Sequence, residues 1–310
     1  MAAKSALRWA GLLLGLFVFG LLLWRLHAHW HEVSLASVQL RAWPVAFSFL
    51  LYFLAQAAFA LSWHGLLQAR GETGQFASDT ARWSVSVAGK YFPGKVWHGV
   101  ARYGLYHGAA RGDRVAPGYV REQLLMLSAG MALVALQLLP GNGRLGMSAG
   151  WFLLGAIVLP FAVSTPVMRR ILLLLERWLP GRWNLPADAP ASLPKAWSLQ
   201  LAGQLFQGLG LFMLGIGTGL LTPALAIPAV SAFCFAGLAG IAALFVPAGL
   251  GVRDAALAWF LAPWIGAAPA LLLAVLARLW ISVGEAILIS SGLLWLRFAG
   301  DGLPDPGPRK

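Results

Sequence analysis

The chain has a single cysteine, Cys234, among 310 residues, which excludes an internal disulfide framework. Set in an apolar run, it reads as a small buried hydrophobe. Charge is scarce too: 11% of residues are charged and 59% are hydrophobic. With a mean hydropathy of +0.72, the chain is too apolar for a soluble surface, and the expected solvent is lipid. Acids are the scarcest, 11 Asp and Glu against 23 Lys and Arg, for a formal net charge of +12. Nucleic acid is not the partner implied, because the basic residues punctuate apolar runs instead of gathering on a polar face. They fall where insertion rules retain cations on the cytoplasmic side, with attraction to anionic headgroups as a second use. No nucleotide-binding motif is present, so the chain itself does not use ATP, and no cofactor is implied.

What is present is a series of long Leu- and Ala-rich runs. In a bilayer core every backbone N–H and C=O must be satisfied internally, so such runs span as helices. The expected fold is an all-α, polytopic integral membrane protein with about six to eight transmembrane helices of roughly 20 residues each. Six spans are predicted near 9–26, 44–64, 120–140, 146–165, 197–217 and 270–296. Between 218 and 268 another apolar region, cut by Pro223, Pro228, Pro247, Gly249, Gly251 and Pro263, holds one or two more crossings or a re-entrant hairpin. A single transmembrane domain over 1–300 and a disordered cytoplasmic tail over 301–310 follow from composition.

Lys4 and Arg8 precede the first run, which lacks a clear cleavage site and is expected to stay as an uncleaved helix. They set the N-terminus inside, and two further basic stretches agree. One carries Arg70, Arg82, Arg111 and Arg114, the other Arg169, Arg170, Arg177, Arg182 and Lys195. Trp24, Trp30, Trp43, Trp63, Trp197 and Trp295 fall near span ends as an aromatic belt. The segment 168–178 reads equally as an interfacial helix or a solvated connector. His27, His29 and His31 are better explained as polar interface residues than as a metal site, and no metal is expected. His98 and His107 flank the first break, and the sequence fixes no role for them.

Two segments depart from the run pattern. Around 81–105, an apolar stretch is broken at Pro93 and Gly94, between Lys90 and Lys95, and continues to Arg102. Around 235–260, the break is Pro247-Ala248-Gly249-Leu250-Gly251, followed by Arg253 and Asp254. The shared plan of apolar run, Pro/Gly break, cation and new helix predicts an inverted-repeat-like arrangement of two broken, re-entrant segments. Irregular backbone at membrane depth is tolerated only inside protein or beside a water-filled cavity, so the pair points to a binding site. Helix N-termini and cations there suit an anion, and a lipid phosphate is the obvious one. The competing reading is that Pro and Gly simply end helices in cytoplasmic loops.

Charges inside spans are costly and need pairing, solvation or use. Glu122 lies early in the third span, and Arg278, Ser282 and Glu285 share one face of the last. A structural Arg–carboxylate pair is the alternative for these. The candidate lipid- and phosphate-binding residues are thus Lys90, Pro93, Gly94, Lys95, Arg102, Arg121, Glu122, Pro247, Gly249, Gly251, Arg253, Asp254, Arg278 and Glu285.

The motifs Lys90-Tyr91-Phe92-Pro93-Gly94-Lys95, the basic stretch to Arg114, Arg121-Glu122, Pro247 to Asp254, and Arg278 resemble, in order and spacing, the membrane region of bacterial lysylphosphatidylglycerol synthases. That region is the flippase part of those proteins, and stand-alone relatives exist. Where the family more often has Pro-Gly-Gly and a Glu after the Arg, this chain has Ala248 and Asp254. The residues after Arg297 are too few to form the soluble aminoacyl-transferring domain, so lipid aminoacylation is not expected. The resemblance implies a non-enzymatic lipid translocase in the bacterial inner membrane. Its partners would be membrane phospholipid or another anionic lipid and a lipid-modifying enzyme, with homo-oligomer formation left open. A polyprenyl-phosphate-dependent membrane glycosyltransferase and an accessory scaffold are the alternatives.

Overall fold

The computed structural model describes residues 20, 24, 40–68, 75–92, 96–106, 112–139, 145–163, 170, 193–243 and 246–299. Among them the chain is helical throughout. The order is α1 (Ala42–Leu67), α2 (Phe76–Ser86) with a 3-10 turn at Val87–Tyr91, α3 (Val96–Leu105), α4 (Gly112–Val134) extended by a 3-10 turn at Ala135–Leu138, and α5 (Ala149–Ala162). There follow α6 (Leu193–Gly217), α7 (Ala226–Ala242), a 3-10 turn at Pro247–Gly249, α8 (Val252–Ile265) and α9 (Ala267–Phe298).

Five stretches among the described residues are long and apolar enough to cross a membrane: Ala42–Leu67, Arg114–Leu138, Leu193–Gly217, Pro223–Ala242 and Ala267–Phe298. The chain is a multi-pass helical membrane protein. The span expected at 146–165 is realised as a helix of 14 residues, shorter than the roughly 20 a crossing needs. Within 218–268 there is one crossing-length helix and then, past the break, a second helix of 14 residues. Pro263 does not cut that helix; it ends at Gly266, whose φ of 87° suits only glycine. The first expected span, the His27–His31 cluster, the 168–178 segment and the 301–310 tail lie outside the described residues, apart from Gly20, Trp24 and Arg170, which are helical.

The outer surface of the bundle, unlike that of a soluble protein, is as apolar as its interior. Leu50, Leu54 and Leu61 of α1, Trp151, Leu154 and Phe161 of α5, and Leu279, Val283 and Ile287 of α9 face outward. Ser48, Gln56 and Ser62, on other faces of α1, are buried. Lipid tails are as apolar as leucine, so exposed leucine costs nothing there, and what holds helices together is close packing and interhelical hydrogen bonding.

The α1–α6 pair supplies both. Gly203, Gly210 and Gly217 recur every seven residues along α6. A Cβ on Gly203 would lie 2.3 Å from Phe59, on Gly210 3.3 Å from the Ser48 carbonyl oxygen, and on Gly217 2.8 Å from Val45. The heptad spacing keeps the stripe on α1 over the whole length of the pair. Gln200 Nε2 donates to Ser62 Oγ at 3.2 Å, and Ser62 Oγ donates to the Ala196 carbonyl at 3.1 Å. At the other end Arg41 N–H donates to the Gly217 carbonyl at 2.8 Å. The two helices are therefore antiparallel and tied at both ends.

α4 packs beside them. Ser128 Oγ donates to the Ala156 carbonyl of α5 at 2.8 Å and accepts from Trp197 Nε1 of α6 at 2.9 Å. Ser231 Oγ of α7 donates to the Leu133 carbonyl at 2.9 Å. From α7 the chain turns through α8 onto α9, which returns along α2 with Gly292 against the Ala81 carbonyl. Replacing Gly203 with Leu drives four carbons into Phe59. The expected loss is roughly 1–3 kcal/mol, seen as a lower melting temperature in detergent, while Leu54→Ala on the outer face leaves it nearly unchanged.

Candidate functional site

Local geometry at the two breaks explains why the chain is irregular there. After Ser86 the α2 helix tightens into the Val87–Tyr91 turn, and α3 folds back against it. Gly89 makes that reversal possible, since a Cβ there would lie 2.8 Å from the Trp97 carbonyl oxygen. At the second break, Ala248 has φ 50° and ψ 17°, and Gly249 has φ 65°. A Cβ on Gly249 would also meet the Gly240 Cα at 3.0 Å, so only glycine lets the break lie against α7. Ala248 holds a left-handed conformation that costs a non-glycine residue about 1–2 kcal/mol.

The two turns touch each other, and α9 grips both. Glu285 accepts from Lys90 Nζ on one carboxylate oxygen and from the Tyr91 hydroxyl on the other. Two helical turns earlier on the same face, Arg278 Nη1 donates to the Ala248 carbonyl at 3.4 Å. Arg278 and Glu285, which share one face of the last span, both reach inward from it, and each bonds a different break and not the other.

Beneath the turns lies a cavity of about 780 Å³. Of the candidate residues, Lys90, Arg253 and Glu285 line it. Arg253 packs its guanidinium 4.7 Å from the Phe233 ring centre. Among the described residues it makes no hydrogen bond or ion pair. It is a cation on the cavity wall without a carboxylate bonded to it.

Several candidates take other roles. Asp254 Oδ2 accepts the Gly251 N–H at 3.0 Å, capping α8 at its first turn. It is buried and absent from the cavity wall, so it is not placed to meet a headgroup. Arg102 and Glu122 are 1% and 4% exposed and ion-paired. Arg102 also donates from Nε to Ser86 Oγ at 3.0 Å and lies 4.4 Å from the Trp63 ring centre, and Trp83 Nε1 donates to Glu122 at 2.9 Å. With every side committed, the pair clamps α2, α3 and α4 and does not line the cavity. Arg121 and Arg278 are also off the wall, and Arg121 Nε and Nη2 have no partner among the described residues. Gly249, Gly251 and Pro247 shape the second break, while Pro93, Gly94 and Lys95 lie outside the described residues.

Two features escaped the sequence. One is a buried chain of polar groups behind the first break. His64 Nδ1 is 2.6 Å from Asp79 Oδ2, the Tyr106 hydroxyl donates to Asp79 Oδ1 at 3.0 Å, and Trp63 Nε1 donates to Tyr106 at 3.0 Å. The other is a set of glutamines on the cavity wall, Gln56, Gln123, Gln204 and Gln207. Gln204 and Gln207, one helical turn apart in an otherwise apolar run, were the available signal. Among the described residues no group of three or more His, Cys, Asp or Glu is arranged to hold a metal.

No protein-family model matches the chain, and neither a curated protein nor a solved structure matches it significantly.

Two variants separate clamp from wall. Glu122→Ala leaves Arg102 charged and unpaired in a dry interior, and the expected loss is roughly 3–5 kcal/mol, read as poor folded yield; replacing Arg102 and Glu122 together by leucine recovers part of it. Ala248→Gly removes the left-handed strain. Its melting temperature is expected to equal or exceed that of the parent protein, and a clear decrease would show that the turn does not hold this conformation.

Proposed function

We propose that this chain is a lipid translocase that takes a phosphate-bearing headgroup into the cavity while the acyl chains stay in the bilayer. The observation that carries this is Arg253, a guanidinium on the wall of a cavity within a membrane bundle, with no hydrogen-bond or ion-pair partner among the described residues. Keeping an unpaired cation away from bulk water is costly, and an anion entering the cavity offsets that cost. Arg253 forks onto phosphate oxygens, and Lys90 stands on the same wall. The shared plan of the two breaks, re-entrant and related as inverted repeats, suits alternating access around a fixed site. The similarity of the motifs to the flippase region of lysylphosphatidylglycerol synthases supports the same reading. In this reading the membrane is the bacterial cytoplasmic one that the resemblance implies, with the N-terminus inside, as the placement of the cations leads one to expect.

No catalytic step is part of this proposal. A polyprenyl-phosphate glycosyltransferase would need a carboxylate free to act as base, and the carboxylate on the cavity wall, Glu285, is held by Lys90 and Tyr91.

The test is reconstitution into vesicles carrying fluorescent phospholipids of several headgroup classes, with a membrane-impermeant quencher reporting the lipid left inside. At least one phosphate-bearing class is expected to exchange faster than in empty vesicles. Arg253→Gln is expected to slow that exchange at least tenfold with an unchanged chromatographic profile. If no class moves faster than in empty vesicles, the proposal fails.

A further inference from the structure

The cavity wall carries more than one cation, and the remainder of its polar chemistry points to a narrower ligand class. Gln56 comes from α1, Gln123 from α4, and Gln204 and Gln207 from α6, so three helices each bring an amide to one space. Among the described residues Gln56, Gln123 and Gln207 form no hydrogen bond with the protein, and Gln204 has only the Cys234 thiol at 4.0 Å. Ser62, Ser128, Ser231, Trp83 and Tyr106, polar and likewise within the bundle, find their partners in the protein. Carboxamides at membrane depth with no partner are expensive unless the cavity supplies one.

The chemistry of that partner follows from the amide. A carboxamide offers two donors and an acceptor side by side, and a hydroxyl both donates and accepts. Four carboxamides therefore match several hydroxyls and tolerate their rotation. They suit an ammonium less well, since only the oxygen of each amide accepts while its NH2 is left facing a cation, and an ammonium is best met by a carboxylate. The single carboxylate among the described lining residues, Glu285, is already engaged by Lys90 and Tyr91. The aromatic rings of Phe59 and Trp83 on the same wall offer apolar faces that suit the C–H side of a polyol.

Resting on the translocase reading, we propose that the headgroup is a phosphodiester of a polyol such as glycerol or inositol, with no amine. Arg253 takes the phosphate and the glutamines take the hydroxyls. This ligand class differs from an aminoacylated lipid: a lysyl ester would bring two ammonium groups to a wall with no uncommitted acid.

The experiment is binding to the purified full chain in detergent, by native mass spectrometry or by displacement of a fluorescent phospholipid. The panel is dioleoyl phosphatidylglycerol, phosphatidylinositol, phosphatidic acid, phosphatidylethanolamine and lysylphosphatidylglycerol, with water-soluble sn-glycerol 3-phosphate as the lipid-free arm. Phosphatidylglycerol and phosphatidylinositol are expected to bind at least tenfold more tightly than the other lipids, and glycerol 3-phosphate far more weakly. The Gln123→Leu/Gln204→Leu pair is expected to bring phosphatidylglycerol down to the level of phosphatidic acid while leaving phosphatidic acid unchanged. Equal or tighter binding of phosphatidylethanolamine or lysylphosphatidylglycerol overturns the polyol assignment and leaves the translocase reading standing. Glycerol 3-phosphate binding as tightly as phosphatidylglycerol keeps the polyol and removes the lipid. Binding of no panel member removes both. The panel on the unmodified protein decides the matter even if the glutamine pair variant fails to fold.

Discussion

The architecture hangs on what one face of α9 holds. Glu285 fastens the first break through Lys90 and Tyr91, and Arg278 fastens the second through the Ala248 carbonyl. Irregular backbone leaves carbonyls and N–H groups that no helix satisfies; Arg278 satisfies the Ala248 carbonyl, and Glu285 holds its turn by two side chains. Their anchoring is what allows a cavity to sit beside them within the bundle.

The rest of the molecule supports those anchors by two devices suited to lipid. One is backbone proximity, achieved by the glycine stripe of α6 on α1 and by Gly284 against Tyr52, which brings α9 close to α1. The other is saturation of buried polar groups, seen where Arg102 satisfies Ser86, Glu122 and His98 at once. A saturated network rigidifies the helices it joins. Bonding separates Arg102 from Arg253: both are cations beside aromatic rings, and among the described residues only the first is ion-paired to a carboxylate.

Much of the fold was legible in the sequence because its signals are local. The runs near 44–64, 120–140, 197–217 and 270–296, the break at Pro247–Gly251, and the helical spacing of Arg278 and Glu285 are each written within a few neighbouring residues. The roles of individual charges were less legible. Glu285 meets a lysine 195 positions away, and Arg102 looks in sequence like any other cation following a break. Asp254 reads as a functional acid until its capping bond to Gly251 is seen. The glutamines leave little trace in the sequence because uncharged polar residues disturb hydropathy little. Their meaning comes from convergence in space, which no single run reveals.

The spacing of the two anchors has a mechanical consequence. Arg278 and Glu285 lie on one stiff helix and on the same side of it, so the breaks they hold are geared together. A twist of α9 about its own axis carries both turns in the same sense. Neither turn can be displaced alone unless a bond to α9 is broken first.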